Sequence, residues 1–294
     1  MNDEILVAHA GSLGALVEKD LVPGFTGSTG CKVVRQAGPA VGLANLILNG
    51  SLAPDVYMSA DGETNRLLMG DEGGNKVHWY LAFARTRMVL AYSPQSRFLP
   101  EFTAAANGEL PWFEVLQRPG LVFLRSDPRV DPGGYRALFV FQLAEQFYGR
   151  QGLNQQILQG DENEVQLLAG RPNLHDGSVD AVMMYVTSAA NYGLPYIQLP
   201  AEIDLSSQAL ADWYRTASYT NPRGQRFYGT PATYSVTIPQ AAANPADAAR
   251  FVAYLFSEAG RRALEHHGFI PTTALPGGDR TAVPAELRSL LVQD

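Results

Sequence analysis

Between residues 4 and 70 the chain alternates apolar extended runs with helically spaced ones. That alternation limits the fold more than any other feature. "EILVA" reads as a buried strand, and "SLGALVEKDL" carries Leu13, Leu16 and Val17 at the i, i+3, i+4 spacing of an amphipathic helix. Pro23-Gly24 is expected to end that helix. "CKVVRQA" is the next strand and "GPAVGLANLILNG" the next helix, with Pro39 suited to its first turn and Gly50 just past its end. "DVYMSA" and "TNRLLMG" repeat the pair. Such a βαβαβ pattern predicts an α/β fold with a parallel sheet covered by helices.

The theme returns further on. "LVFLRS" (121–126) reads as a strand and "DPGGYRALFVFQLAEQFYG" as a turn and a long helix. "NEVQLLAG" (163–170) reads as helix, "VDAVMMYV" as a buried strand and "TSAANYG" as a helical turn. "ATYSVTIP" is a last strand before the amphipathic pair "NPADAARFVAYLFSEAGRRALEHHG". At 294 residues the chain suits two lobes of ordinary size. The extended stretches 83–92 and 232–238 read as the crossings, giving lobe I as 1–89 with 238–294 and lobe II as 90–237.

Composition narrows the function. Charged residues make up 17% and the formal net charge is -7, so there is no basic footprint for nucleic acid or an acidic membrane. An anion would have to be held by local donors. The single cysteine, Cys31, allows no intrachain disulfide, and no apolar run reaches membrane-span length. The opening Met-Asn-Asp-Glu shows no signal peptide, which fits a cytoplasmic protein or an exported one whose leader is absent.

Ligands of open parallel sheets sit beyond the carboxyl ends of the strands. Four strand-to-helix junctions carry small, polar or conformationally special residues there: Ala10-Gly11-Ser12, Ala37-Gly38-Pro39-Ala40, Asp131-Pro132-Gly133-Gly134-Tyr135 and Met184-Tyr185. Helix N-termini offer unpaired N–H groups and the positive end of the dipole, an anion site that needs no lysine. Each junction also has a plain reading. Ser12 is simplest as an N-cap, Asp131 as a local cap, and Tyr185 as a core aromatic. The combination is what points to an anion, held in a cleft between the lobes.

These stretches resemble the periplasmic molybdate/tungstate-binding proteins, the substrate-capturing subunits of ABC importers. The resemblance rests on "AGSLGALVEKDLVPGFT", "APDVYMSAD", "FARTRMVLAYS", "SDPRVDPGGYRALFVFQLAEQFYG", "GSVDAVMMYVTSAANYGLPYIQLP" and the final helix pair. It implies a two-lobed type II periplasmic binding protein fold, a periplasmic or cell-surface location, a small oxyanion ligand and a permease partner. It implies no catalytic residue, no metal site and no cofactor. By resemblance Ser12 contacts the oxyanion, Gly133 and Val165 give backbone N–H groups, and Tyr185 gives a hydroxyl. Asp131 matches an aspartate that ligates the metal of the oxyanion in the tungstate-type branch. Gly11, Pro39, Ala40, Gly134, Tyr135 and Met184 complete the expected ligand-binding set. Two positions depart from the pattern. The second loop, Gly38 to Gly42, has no hydroxyl, and Met184 stands where the tungstate-type branch has a glutamate. A sensor or adhesin on the same scaffold, and a two-lobed enzyme, are the rival readings.

Other signals are weaker. "GFTGSTGCK" misses the P-loop spacing and precedes a strand. His9 and Ser12 suggest a nucleophile and base, but no third partner is assignable. His266-His267 sit near a helix end, where a cation is favoured in any case. Arg85, Arg87 and Arg136 are placed to line the cleft, but such arginines more often pair with surface carboxylates, and Arg136 is also able to orient Asp131.

Overall fold

A computed structural model describes residues 4–158 and 173–291 of the chain. Two compact units emerge, Met1–Arg85 with Thr233–Asp294, and Thr86–Ala232. In chain order unit 1 opens with strands β1 (Glu4–Ala10), β2 (Lys32–Gly38), β3 (Val56–Ser59) and β4 (Trp79–Arg85). Unit 2 holds β5 (Met88–Tyr92), β6 (Phe123–Leu124), β7 (Ala181–Tyr185), β8 (Tyr196–Gln198), β9 (Ser218–Thr220) and β10 (Arg226–Tyr228). The chain then returns to unit 1 for β11 (Thr233–Thr237) and β12 (Ile270–Gly278).

The sheet of unit 1 runs β12-β4-β11-β3-β1-β2. β1 pairs in parallel with β2 and β3, as the βαβαβ pattern requires. β11 enters antiparallel between β3 and β4, and β12 pairs antiparallel with β4, so the sheet is mixed. This pairing corrects the expected boundary at 237/238. Thr233 registers against Arg85 and Thr237 against Tyr57, which places the whole of β11 in unit 1. The first crossing likewise falls between Arg85 and Thr86, ahead of residue 89, because β4 ends at Arg85. One face of the sheet buries Ala8, Leu43, Ala44, Ile47 and Tyr57 together.

The first helical run corrects a second expectation. It begins as a 3₁₀ turn (Gly11–Leu13), continues as Gly14–Leu16, widens into a π turn (Val17–Leu21) and proceeds as an α-helix (Val22–Thr29). Pro23 and Gly24 lie inside it; the run ends at Gly30, whose φ of 75° suits a glycine. Pro23 is tolerated because it falls in the first turn of the α segment, just after the wide π turn. Gly24 makes room for a neighbour, since a Cβ there would overlap Tyr254 Oη.

Unit 2 has a four-stranded sheet, β6-β7-β5-β8, and the two-stranded β9–β10. β6 keeps only two residues of the expected "LVFLRS" strand. The helix Pro132–Phe147 is buried along most of its length. The expected helix at 163–170 lies outside the described residues. Among the described residues no helix is long and apolar enough to cross a membrane.

Candidate functional site

In unit 1 the first junction leaves β1 at Ala10. Ala10 is the N-cap of the 3₁₀ turn and makes no side-chain cap bond. Ser12 stands second in that turn and is half-buried, so it is not the cap that its place after Gly11 suggests. A Cβ on Gly11 or on Gly14 would meet no atom within 4 Å. Neither glycine has a positive φ, so neither backbone conformation nor packing against the protein requires one there. The first N–H groups of this run have no intrahelical acceptor. His9, fully buried behind the junction, has Nδ1 3.0 Å from the Ala10 carbonyl, to which an Nδ1–H donates. Burial pushes its pKa down, favouring the neutral ring. The nucleophile-and-base reading of His9 and Ser12 gains no hydrogen bond between them among the described residues.

The second junction of unit 1 begins at Pro39, the N-cap of the helix Ala40–Leu48, with φ −60° and ψ 131°. Pro39 is exposed and Ala40 buried. The Tyr57 hydroxyl, buried, donates to the Ala40 carbonyl at 2.7 Å and pins the helix start to β3. A third junction, after β3, was not singled out from the sequence. Asp61 accepts from Glu63 N–H at 2.8 Å as an N-cap, and Asn65 Nδ2 donates to Ser235 Oγ at 2.7 Å. Ser235 is 170 residues away in the chain, which hides this polar network from any local pattern.

In unit 2 the turn before the helix Pro132–Phe147 is organised by Asp131. Its carboxylate accepts from Gly133 N–H at 2.9 Å and from the Ser126 hydroxyl. The Gly133 N–H expected to meet an anion is therefore engaged by the helix's own cap. Burial pushes the Asp131 pKa up, against the pull of the Gly133 and Ser126 bonds and of the Arg136 charge. Gly134 is explained by packing: a Cβ there would lie 2.5 Å from both Pro128 N and Ser126 O. Tyr135 stacks on Phe227 at 4.7 Å between ring centroids, within an aromatic layer that includes Tyr219. Its ring belongs to the core of the β9–β10 side, not to a ligand surface.

Arg136, for which pairing with a surface carboxylate is the plainer of the sequence readings, is fully buried. Its Nη1 donates to Tyr185 Oη at 2.9 Å. Tyr185 is the N-cap residue of the short helix Val186–Asn191, and its extended backbone turns β7 into that helix. Met184 packs against the apolar cluster of Val89, Ala91, Leu124 and Val182. Alternation along β7 sends the neighbouring side chains to opposite faces, so Met184 and Tyr185 diverge. Thr187 was missed by the sequence reading. It is fully buried at the same helix start, and its hydroxyl lacks a partner among the described residues. Val165 lies outside the described residues.

Similarity to known proteins agrees with this architecture. Residues 5–270 match the family model described as bacterial extracellular solute-binding protein. An uncharacterized solute-binding protein of Petrotoga mobilis is 31% identical over 98% of this chain and 90% of its own length. The molybdate/tungstate-binding protein WtpA of Pyrococcus abyssi is 28% identical over the same shares of the two chains. Among solved structures, the periplasmic molybdate-binding protein of Azotobacter vinelandii superposes with a TM-score of 0.55 at 16% identity, covering 90% of this chain and 98% of that one. That likeness shows a shared fold, the α/β fold of the two-lobed periplasmic binding proteins. The chain belongs to the family of bacterial extracellular solute-binding proteins.

Proposed function

We propose that this protein captures a small tetrahedral oxyanion of the molybdate or tungstate type, outside the cytoplasm, and delivers it to the permease of an ABC importer. The ligand undergoes no reaction. The observation that carries the reading is the Arg136–Tyr185 bond. A guanidinium on the phenol oxygen occupies an acceptor site and polarises the O–H toward donation. A buried cation also favours an anion nearby, even in a chain of net charge -7. Ser12, with its hydroxyl not spent on capping, and the first-turn N–H groups after Ala10 and Pro39 supply further donors. The relative named for molybdate and tungstate supports the choice of ligand.

Asp131 bears on coordination. The carboxyl group of Asp131 is held as the helix cap by Gly133 and Ser126, and burial disfavours the charged form that a metal centre would need. Met184 supplies no second carboxylate, so the anion stays four-coordinate. Calorimetric titration of ligand-free protein tests the reading. Molybdate and tungstate are expected to bind with similar affinity. Phosphate, which carries a proton at neutral pH and needs an acceptor, is expected to bind far more weakly. Failure of every tetrahedral oxyanion to bind at millimolar concentration overturns the proposal and favours an organic anion.

A further inference from the structure

Unit 1 holds a second cluster of ligand-type side chains, drawn from segments 247 residues apart. Asp20 Oδ2 lies 2.6 Å from His267 Nε2 and 3.6 Å from His266 Nδ1. One ligand atom from each of the three residues lies within 4.8 Å of the other two. We propose that Asp20, His266 and His267 form a binding site for a divalent transition metal, of which zinc is the natural probe.

The spacing fits. Zinc bonds of about 2.0–2.1 Å in a tetrahedron hold ligand atoms roughly 3.3 Å apart, and the two observed separations bracket that value. The donor set fits as well. Two imidazole nitrogens and a carboxylate suit zinc, copper or nickel, and suit the oxygen-seeking calcium and magnesium poorly. Water would complete the coordination.

The backbone explains how the groups converge. Adjacent residues of a continuing helix point about 100° apart. Here the helix Glu258–His266 stops, and His267 is its C-cap at φ −90° and ψ 13°. Its N–H turns back to the Ala263 and Leu264 carbonyls, and Gly268 follows with φ 76°. The two rings then sit with centroids 5.0 Å apart, both against Asp20. Asp20 comes from the π turn Val17–Leu21, a rare form that often marks functional positions.

The rival is a simple ion pair between Asp20 and one histidine at a helix end. One imidazole would satisfy it, and a second charged ring beside the first would repel it. A metal uses both rings in their neutral form and replaces the proton on His267 Nε2. Access is also suitable. The His267 side chain is 6% exposed, Asp20 32% and His266 74%, so the cluster opens to solvent on the His266 side. The bound ion would fasten the end of the 258–266 helix to the helical run that begins at Gly11 and carries Ser12.

The test uses untagged whole protein freed of metal with a chelator and titrated with zinc chloride. One zinc per chain is expected, with a rise in melting temperature. Cobalt in its place is expected to show the visible absorption of a four-coordinate site. His266→Ala, at an exposed position, should lower zinc affinity about 10- to 100-fold, the range known even for outer-shell losses. Its metal-free melting temperature should match the parent's. Asp20→Asn should weaken zinc similarly and gives a second, nearly isosteric check. No zinc bound at about 0.1 mM, or equal zinc affinity in the parent and both variants, overturns the proposal.

Discussion

At the scale of single residues, Ser12 and Asp131 share one plain reading from sequence, a helix cap, and part company in the structure: Ser12 caps nothing, and Asp131 is the cap of its helix. Ser12→Ala is therefore expected to leave the unfolding free energy within about 0.5 kcal/mol of the parent, as for a substitution away from any structural feature. Oxyanion affinity should fall by about 1–2 kcal/mol, one lost hydrogen bond to a charged ligand. Denaturant melts and titrations on one preparation separate the two numbers. Lost stability with unchanged affinity would return Ser12 to the fold. Asp131 gives a pH test. Its folded-state pKa is raised by burial, so the native protein binds that proton more tightly than the unfolded chain. Stability from this group is then greatest at low pH and is lost as pH rises through the folded-state value. Asp131→Asn keeps an oxygen for the Gly133 N–H and removes the titration. The stability difference should shift in favour of the variant as pH rises from about 4, the ordinary carboxylate value, through the raised folded-state one. A difference that stays flat over that range would show that burial does not govern the carboxyl.

At the scale of elements, the start of the 132–147 helix depends on a glycine that no helix rule would favour. In an open helix, Gly to Ala gains about 1 kcal/mol. At Gly134 the new methyl would lie 2.5 Å from backbone atoms of the 126–128 segment, so something must shift. Gly134→Ala is expected to cost about 1–3 kcal/mol, as overpacking does. Gly11→Ala meets no atom within 4 Å and should leave the melt unchanged while impairing oxyanion binding. Equal melting losses in both variants would sink the distinction. The sequence disclosed what local pattern controls. β1, β2, β3 and the helix pair of 245–266 follow from periodicity, and the small-residue junctions follow from glycine and proline. Long-range pairing lay beyond that reach. β11 is assigned to unit 1 by its neighbours β3 and β4. Arg136 is buried because its acceptor is Tyr185, 49 residues on. Met184 and Tyr135 entered the expected ligand set by standing next to Tyr185 and Gly134, whereas strand alternation packs one on the apolar cluster of unit 2 and an aromatic stack takes up the other. Pro23 misled because a π turn precedes it, and no composition rule announces one.

At the scale of the whole molecule, two units with their own sheets and apolar clusters face one thermodynamic question: whether one small anion stabilises both. A ligand that binds only the native state adds RT ln(1 + [L]/Kd), about 2.7 kcal/mol at one hundred times Kd. That gain belongs to whichever unit must unfold for the ligand to leave. The proposed donors are tested unit by unit: Ser12 and the first turn after Pro39 in unit 1, and Tyr185 with Arg136 behind it in unit 2. Differential scanning calorimetry with saturating molybdate is therefore expected to raise the unfolding temperature of both units. A single endotherm should move as a whole, and two resolved endotherms should both move. Ser12→Ala should reduce the shift while leaving the ligand-free trace in place, since the side chain caps nothing. If one endotherm moves and the other stays, the donors of the unmoved unit do not hold the ligand. The oxyanion then belongs to a single unit, and the junctions of the other must be explained by folding alone.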